Sequence, residues 1–173
     1  MKILSVTGKL LYGSEKESKR ETIVDAVESG ADLGGADLGG ADLSGAYLRG
    51  ADLGGAYLRG AKNFPYIPLA CPSEGAFTAW KKVKGCLIEL KIPADARRSS
   101  ATTEKCRCDK AEVVSITNIE STERISEITN TFYTTTLYKV GEMVYPDAFD
   151  EDRFNECSNG IHFFIDKQLA INY

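Results

Sequence analysis

The stretch "DARRSSATTEKCRCDK", residues 95–110, sets Arg97, Arg98, Lys105, Arg107 and Lys110 among Ser99, Ser100, Thr102 and Thr103. Guanidinium forks and hydroxyls suit a phosphate or a carboxylate. A solvated loop accounts for the same residues. As a ligand site, the set is Arg97, Arg98, Ser99, Ser100 and Arg107, with Trp80, Tyr138 and His162 as stacking surfaces. His162 is the single histidine of the chain. Its imidazole suits a general base, a metal ligand or a pocket donor, against the plainer role of a hydrogen-bonded structural histidine. Cys106, Cys108, Cys157 and His162 form a candidate Cys3His zinc set. Zinc sites usually show paired Cx2C knuckles, so no metal or other cofactor is expected. The acidic run Asp147, Asp150, Glu151, Asp152 and Glu156 reads as a solvated face or a contact for the basic stretch. No nucleophile-base pair or paired carboxylates stand out, so the expectation is binding rather than catalysis.

The elements that must position these residues separate by composition. Residues 1–29 read as a β-α element: a hairpin around Thr7-Gly8, then a helix capped by Ser18 or Thr22 and ending near Gly30. Residues 30–62 hold ten of the sixteen glycines. Residues 63–173 hold all five prolines and all five cysteines. There "CLIELKIP", "AEVVSITNI", "TFYTTTLYKV" and "GIHFFI" read as strands, and "DKQLAINY" as a short helix with Asp166 at its N-cap. A small α+β or mostly β domain follows from that pattern.

Five cysteines without an export signal predict free thiols in a reducing cytoplasm. Cys106 and Cys108 are expected on opposite faces of a strand, which argues against a bond between them. The formal net charge of −4 argues against a duplex-DNA binder. No run approaches the roughly 18 apolar residues of a membrane span.

Between the two flanks, Leu33, Leu38, Leu43, Leu48, Leu53 and Leu58 recur every five residues, with alanine two positions earlier. A period of five matches neither the 3.6 of a helix nor the 2.0 of a strand. A coil in which each five-residue unit forms one side places every leucine on the inner axis. "ADLGG", "ADLSG" and "AYLRG" resemble the A(D/N)LXX unit of the pentapeptide-repeat family. The resemblance implies a right-handed quadrilateral β-helix with four units to a coil. Six units make about one and a half coils, a stack roughly 7 to 10 Å tall at strand spacing. That is far too short to imitate a turn of duplex DNA. It needs caps at both ends, from the β-α element and from the domain that follows. Such a stub fits a scaffold or an oligomer interface. Tyr47, Arg49, Tyr57 and Arg59 on its outside are candidates for protein contact or for simple solvent-facing variation.

Residues 64–173 resemble an uncharacterised domain that follows pentapeptide repeats in phage and prophage proteins. "GAFTAWKKV", "LKIPADARRSSATTEKCRC", "YKVGEMVYPDAFDE" and "ECSNGIHFF" carry that likeness. Locally, "NGIHFFIDKQLAINY" is similar to a strand and helix of poly-ADP-ribosyltransferases, with His162 at the position of the nicotinamide-lining tyrosine. The leading expectation is a cytoplasmic, non-catalytic interaction protein from a phage or prophage. It would engage a host or phage protein, or itself, with interference in host defence as one role open to it. The alternatives are a binder of a nucleotide-like small molecule through residues 63–173, and an active or degenerate ADP-ribosyltransferase.

Overall fold

Gly8, at φ +84, turns β1 (Lys2–Leu4) back onto β2 (Leu10–Gly13) as an antiparallel pair. Helix α1 (Lys19–Glu28) follows. Ser18 is its N-cap: the hydroxyl accepts from the Glu21 amide at 3.1 Å and donates to the Glu21 carboxylate at 2.9 Å. Thr22, Ile23 and Ala26 are its buried residues. Tyr12 and Ser14 at the end of the hairpin donate to the Asp25 carboxylate at 3.1 and 2.6 Å. These bonds, Ser14 first, hold Asp25 below the usual carboxylate range. The computed structural model describes residues 1–44, 46, 48, 53–63, 68–101, 103–131, 135–155 and 157–173. Tyr47 and Arg49 therefore lie outside the described residues, as do Thr102 and Glu156.

The five-residue beat has a local cause. The amide of each of Ala36, Ala41, Ala46, Ala56 and Ala61 bonds to the carbonyl of the leucine three residues before it. Such a turn needs a positive φ at its third position, and Gly35, Gly40, Gly55 and Gly60 supply it at +65 to +71. Asp32, Asp37 and Asp42 each accept the amide two residues on, fixing the entry to the turn. All six periodic leucines are buried. Repeats also pair at a distance. Asp37 bridges Tyr57 and Asp42 bridges Lys62, both in parallel. The Leu38 amide bonds to the Tyr57 carbonyl, and the Tyr57 amide to the Ala36 carbonyl. The first repeats in turn bond to the hairpin, with Ser5 bridging Ala36 and the Asp37 amide on the Leu4 carbonyl. Gly40→Val forces a β-branched side chain into the left-handed region and is expected to cost about 1 to 2 kcal/mol. A chemical denaturation midpoint unchanged from the parent would refute this account of the turns.

The chain divides into two compact units, residues 1–68 with 101–103, and residues 69–100 with 104–173. In the second unit, β3 (Phe77–Val83) and β4 (Cys86–Ile92) form a hairpin. Its two-residue loop has positive φ at both Lys84 and Gly85, the turn whose twist matches the strands. The remaining elements are β5 (Arg98–Ser99), β6 (Cys106–Cys108), β7 (Ala111–Asn118), β8 (Glu127–Asn130), β9 (Thr136–Lys139), β10 (Met143–Val144), β11 (Ile161–Phe163) and α2 (Lys167–Asn172). They give one sheet in the order β10-β7-β4-β3, a second in the order β11-β6-β5, and the pair β8-β9. Trp80 and Phe164 exchange amide bonds at 2.8 Å, which ties β3 to the end of β11. Asp166 caps α2, accepting the Leu169 amide at 2.8 Å. The fold is mixed α+β, mostly strands with few helices. Among the described residues, no helix is long and apolar enough to cross a membrane.

Two expectations change. Of "TFYTTTLYKV", only residues 136–139 form a strand among the described residues, and its partner is the polar segment Glu127–Asn130. Cys106 and Cys108 do not point apart. Positions i and i+2 of a strand share a face, and both thiols are buried in one apolar core with Ile161 and Phe163. They are nevertheless free thiols.

Candidate functional site

Strand β3 reads "FTAWKKV", and its alternation decides where a site forms. Phe77, Ala79 and Val83 pack on the core that includes Leu90 and Phe163. Lys81 has the same parity, so a lysine occupies a core-facing position. Its Nζ donates to the His162 carbonyl on β11 at 3.2 Å. Among the described residues, no carboxylate lies within ion-pair distance of it. Burial, opposed by Cys108 and aided by the positive charge of Lys105, lowers its pKa from 10.5 to about 8. Trp80 and Lys82 face the other way. Trp80 packs with Leu87, Phe164 and Ala170 under the Lys167 ammonium, and Lys82 donates to the Ile171 carbonyl at 2.7 Å.

Lys81 forms part of the wall of a cavity of about 200 Å³. Tyr138 and His162 share that wall, and Asn130, Thr136, Asp147, Ser158 and Asn159 add further polar groups to the lining. Tyr138 is 2% exposed, and burial pushes its phenol above the ordinary tyrosine value. His162 sits opposite Arg107 in the β11-β6 register, with its Nε2 shielded from solvent.

The expected ligand set comes together only in part. Tyr138 and His162 meet at the cavity, whereas Trp80 lies on the opposite face of β3. The arginines are directed to the protein itself. Arg98 donates to the carbonyls of Pro72, Gly75, Pro93, Ala94 and Ala96, all at 2.9 to 3.1 Å. Arg97 pairs with Asp109 at 2.9 Å and Glu151 at 2.7 Å, so the basic stretch does meet the acidic loop. Arg107 is 2% exposed and donates to the carbonyls of Asp150, Asp152 and Asn159. Ser100 accepts the Ala70 amide, while Ser99 Oγ is buried with no hydrogen-bond partner among the described residues.

The cysteine set is dispersed. Cys106 and Cys108 bond to the carbonyls of Glu104 and Ile161 inside the core, and burial lifts the Cys108 thiol to about 12. Cys157 is exposed, with Lys105 Nζ at 3.2 Å. Among the described residues, no three cysteine, histidine or acidic side chains gather to hold a metal. On the repeats, Tyr57 is 42% exposed, and Arg59 is exposed as well. A Cβ built on Gly39 would lie 2.9 Å from the Tyr57 ring, so that ring lies close over the turn.

Sequence reasoning passed over Lys81. The signal was present: "F-A-K-V" at alternate positions of one strand puts a cation in an apolar phase.

Residues 67–170 match the family of unknown function DUF5758. The chain belongs to this family. Residues 29–62 match the family described as pentapeptide repeats (8 copies). Neither the curated proteins nor the solved structures contain a match to the chain.

Proposed function

We infer that the second unit is a binding module for a small anionic molecule, held in the cavity at Lys81, Tyr138 and His162. The observation that carries this reading is Lys81 itself. A desolvated ammonium without a carboxylate partner is costly, and an anionic ligand would supply the missing counter-charge. The cavity is smaller than the roughly 300 to 1,000 Å³ of sites for drug-sized ligands. A small carboxylic acid or inorganic phosphate fits it. A nucleotide would insert only its terminal group. Non-catalytic binding remains the proposal for the chain, with the repeats as scaffold. For those repeats, a four-sided β-helix is supported by the twenty-residue offset of the bridges from Asp37 to Tyr57 and from Asp42 to Lys62, and its right hand is what the family resemblance implies. Four units of five residues make that offset. A second reading, protein contact by a host, phage or identical chain, is favoured by the exposed Tyr57 beside Arg59.

Thermal melts against inorganic phosphate and a panel of small carboxylates test the binding site. A ligand at 100 times its Kd adds about 2.7 kcal/mol, a shift of several degrees. The shift should appear for at least one compound and vanish in Lys81→Met. A panel that leaves the melting temperature unmoved, or moves parent and variant alike, rules the site out.

A further inference from the structure

We propose that Lys81 captures small carbonyl acids covalently, forming an imine with an α-oxo or aldehydic carboxylate that enters the cavity. This deepens the binding reading above and rests on it. Four observations carry it. The amine stands at a core-facing position between Ala79 and Val83, which are buried. Among the described residues it is held by one neutral acceptor, the His162 carbonyl, and by no ion pair. A lysine buried for structural reasons is ordinarily paired with an opposite charge. Two proton-carrying side chains, His162 and Tyr138, line the same space. The volume of about 200 Å³ fits an acid of a few carbons.

The chemistry balances without a further reactant. The neutral Nζ lone pair attacks the carbonyl carbon, the C=O π pair moves to oxygen, and a proton passes from nitrogen to oxygen to give a carbinolamine. That hydroxyl is protonated and leaves as water while the C=N bond forms. One neutral amine, one carbonyl and one proton from solvent give one protonated imine and one water. The protonated imine keeps the positive charge, and the adjacent carboxylate of the ligand becomes its counter-ion. With a pKa of about 8, roughly a quarter of the amine is neutral at about pH 7.5, against about a thousandth for a solvated lysine.

The experiment incubates the full chain with glyoxylate or pyruvate, reduces with borohydride, and locates the adduct by peptide mass spectrometry. The expected result is one adduct at Lys81, formed about tenfold faster than at the neighbouring Lys82 and Lys84. It should be absent in Lys81→Met and retained in Lys82→Met. Because Lys81→Met removes an unfavourable charge, its fold is checked by its melt and is expected to be intact. Even labelling across the surface lysines overturns the proposal. If trapping fails while acids still raise the melting temperature through Lys81, the imine is wrong and the binding site stands. If both fail, both are wrong.

Discussion

Arg107→Met should destabilise the protein by about 1.5 to 3 kcal/mol, the range for hydrogen bonds donated by a charged group. The side chain is almost wholly buried, and it donates to main-chain carbonyls of residues 150, 152 and 159. In this loop the Asp152 and Asn159 carbonyls each keep a main-chain donor, from Asn155 and Asp150, so the Asp150 carbonyl loses most when the guanidinium goes. The Phe149 ring, 5.7 Å from the guanidinium, would lose its cation as well. The same loop supplies Asn159 to the cavity wall, so ligand-induced shifts should fall together with stability. Arg107→Lys keeps the charge but not the fork, and should lie between parent and methionine variant. Urea denaturation measures both. A loss below about 1 kcal/mol for the methionine variant would mean that the carbonyls find other partners.

Lys81→Met should do the reverse and stabilise the protein at neutral pH, by on the order of 2 to 3 kcal/mol. The folded pKa of about 8 lies below the unfolded value of 10.5. Below about pH 8 the lysine is charged in both states, and the full desolvation penalty acts against folding. Between about 8 and 10.5 the unfolded chain holds the proton more often than the folded one, so parental stability rises with pH. Above that window the amine is neutral in both states and the penalty is gone. A shift of this size corresponds to about 3 kcal/mol. Methionine fills nearly the same volume without a charge. The variant should therefore lack the parental rise over that window when both are followed by denaturation at stepped pH. A variant no more stable than the parent at pH 7, or one with the same slope, would show that Lys81 is well solvated. The expected gain in stability at the expense of binding is the usual trade at a functional position.

Local pattern made much of the fold legible. Ser18 before an apolar face, the leucine beat, the alternation of "CLIELKIP" and Asp166 before α2 each act within a few residues, and each has its counterpart in the structure. What depended on distant partners was not legible. The segment Glu127–Asn130 is polar and short, and becomes a strand because β9 pairs with it. The arginines read as an anion fork because sequence shows charges but not the loop carbonyls of Pro72 and Pro93 that take up Arg98. Lys81 and Lys82 stand side by side and look alike in sequence. Only the docking of β11 along β3, through Trp80 and Phe164, encloses one of the pair and leaves the other at the end of α2.

The twenty-residue spacing between bonded repeats also bears on how such a chain changes length. An insertion or deletion of five residues exchanges one turn for an equivalent one, and every leucine keeps its inward place. A change of four or six puts aspartate or glycine where Leu38 and Leu58 now sit fully enclosed. Variation in this region is therefore quantised: a lineage can gain or lose whole units at little cost, while each frame between them is closed to it.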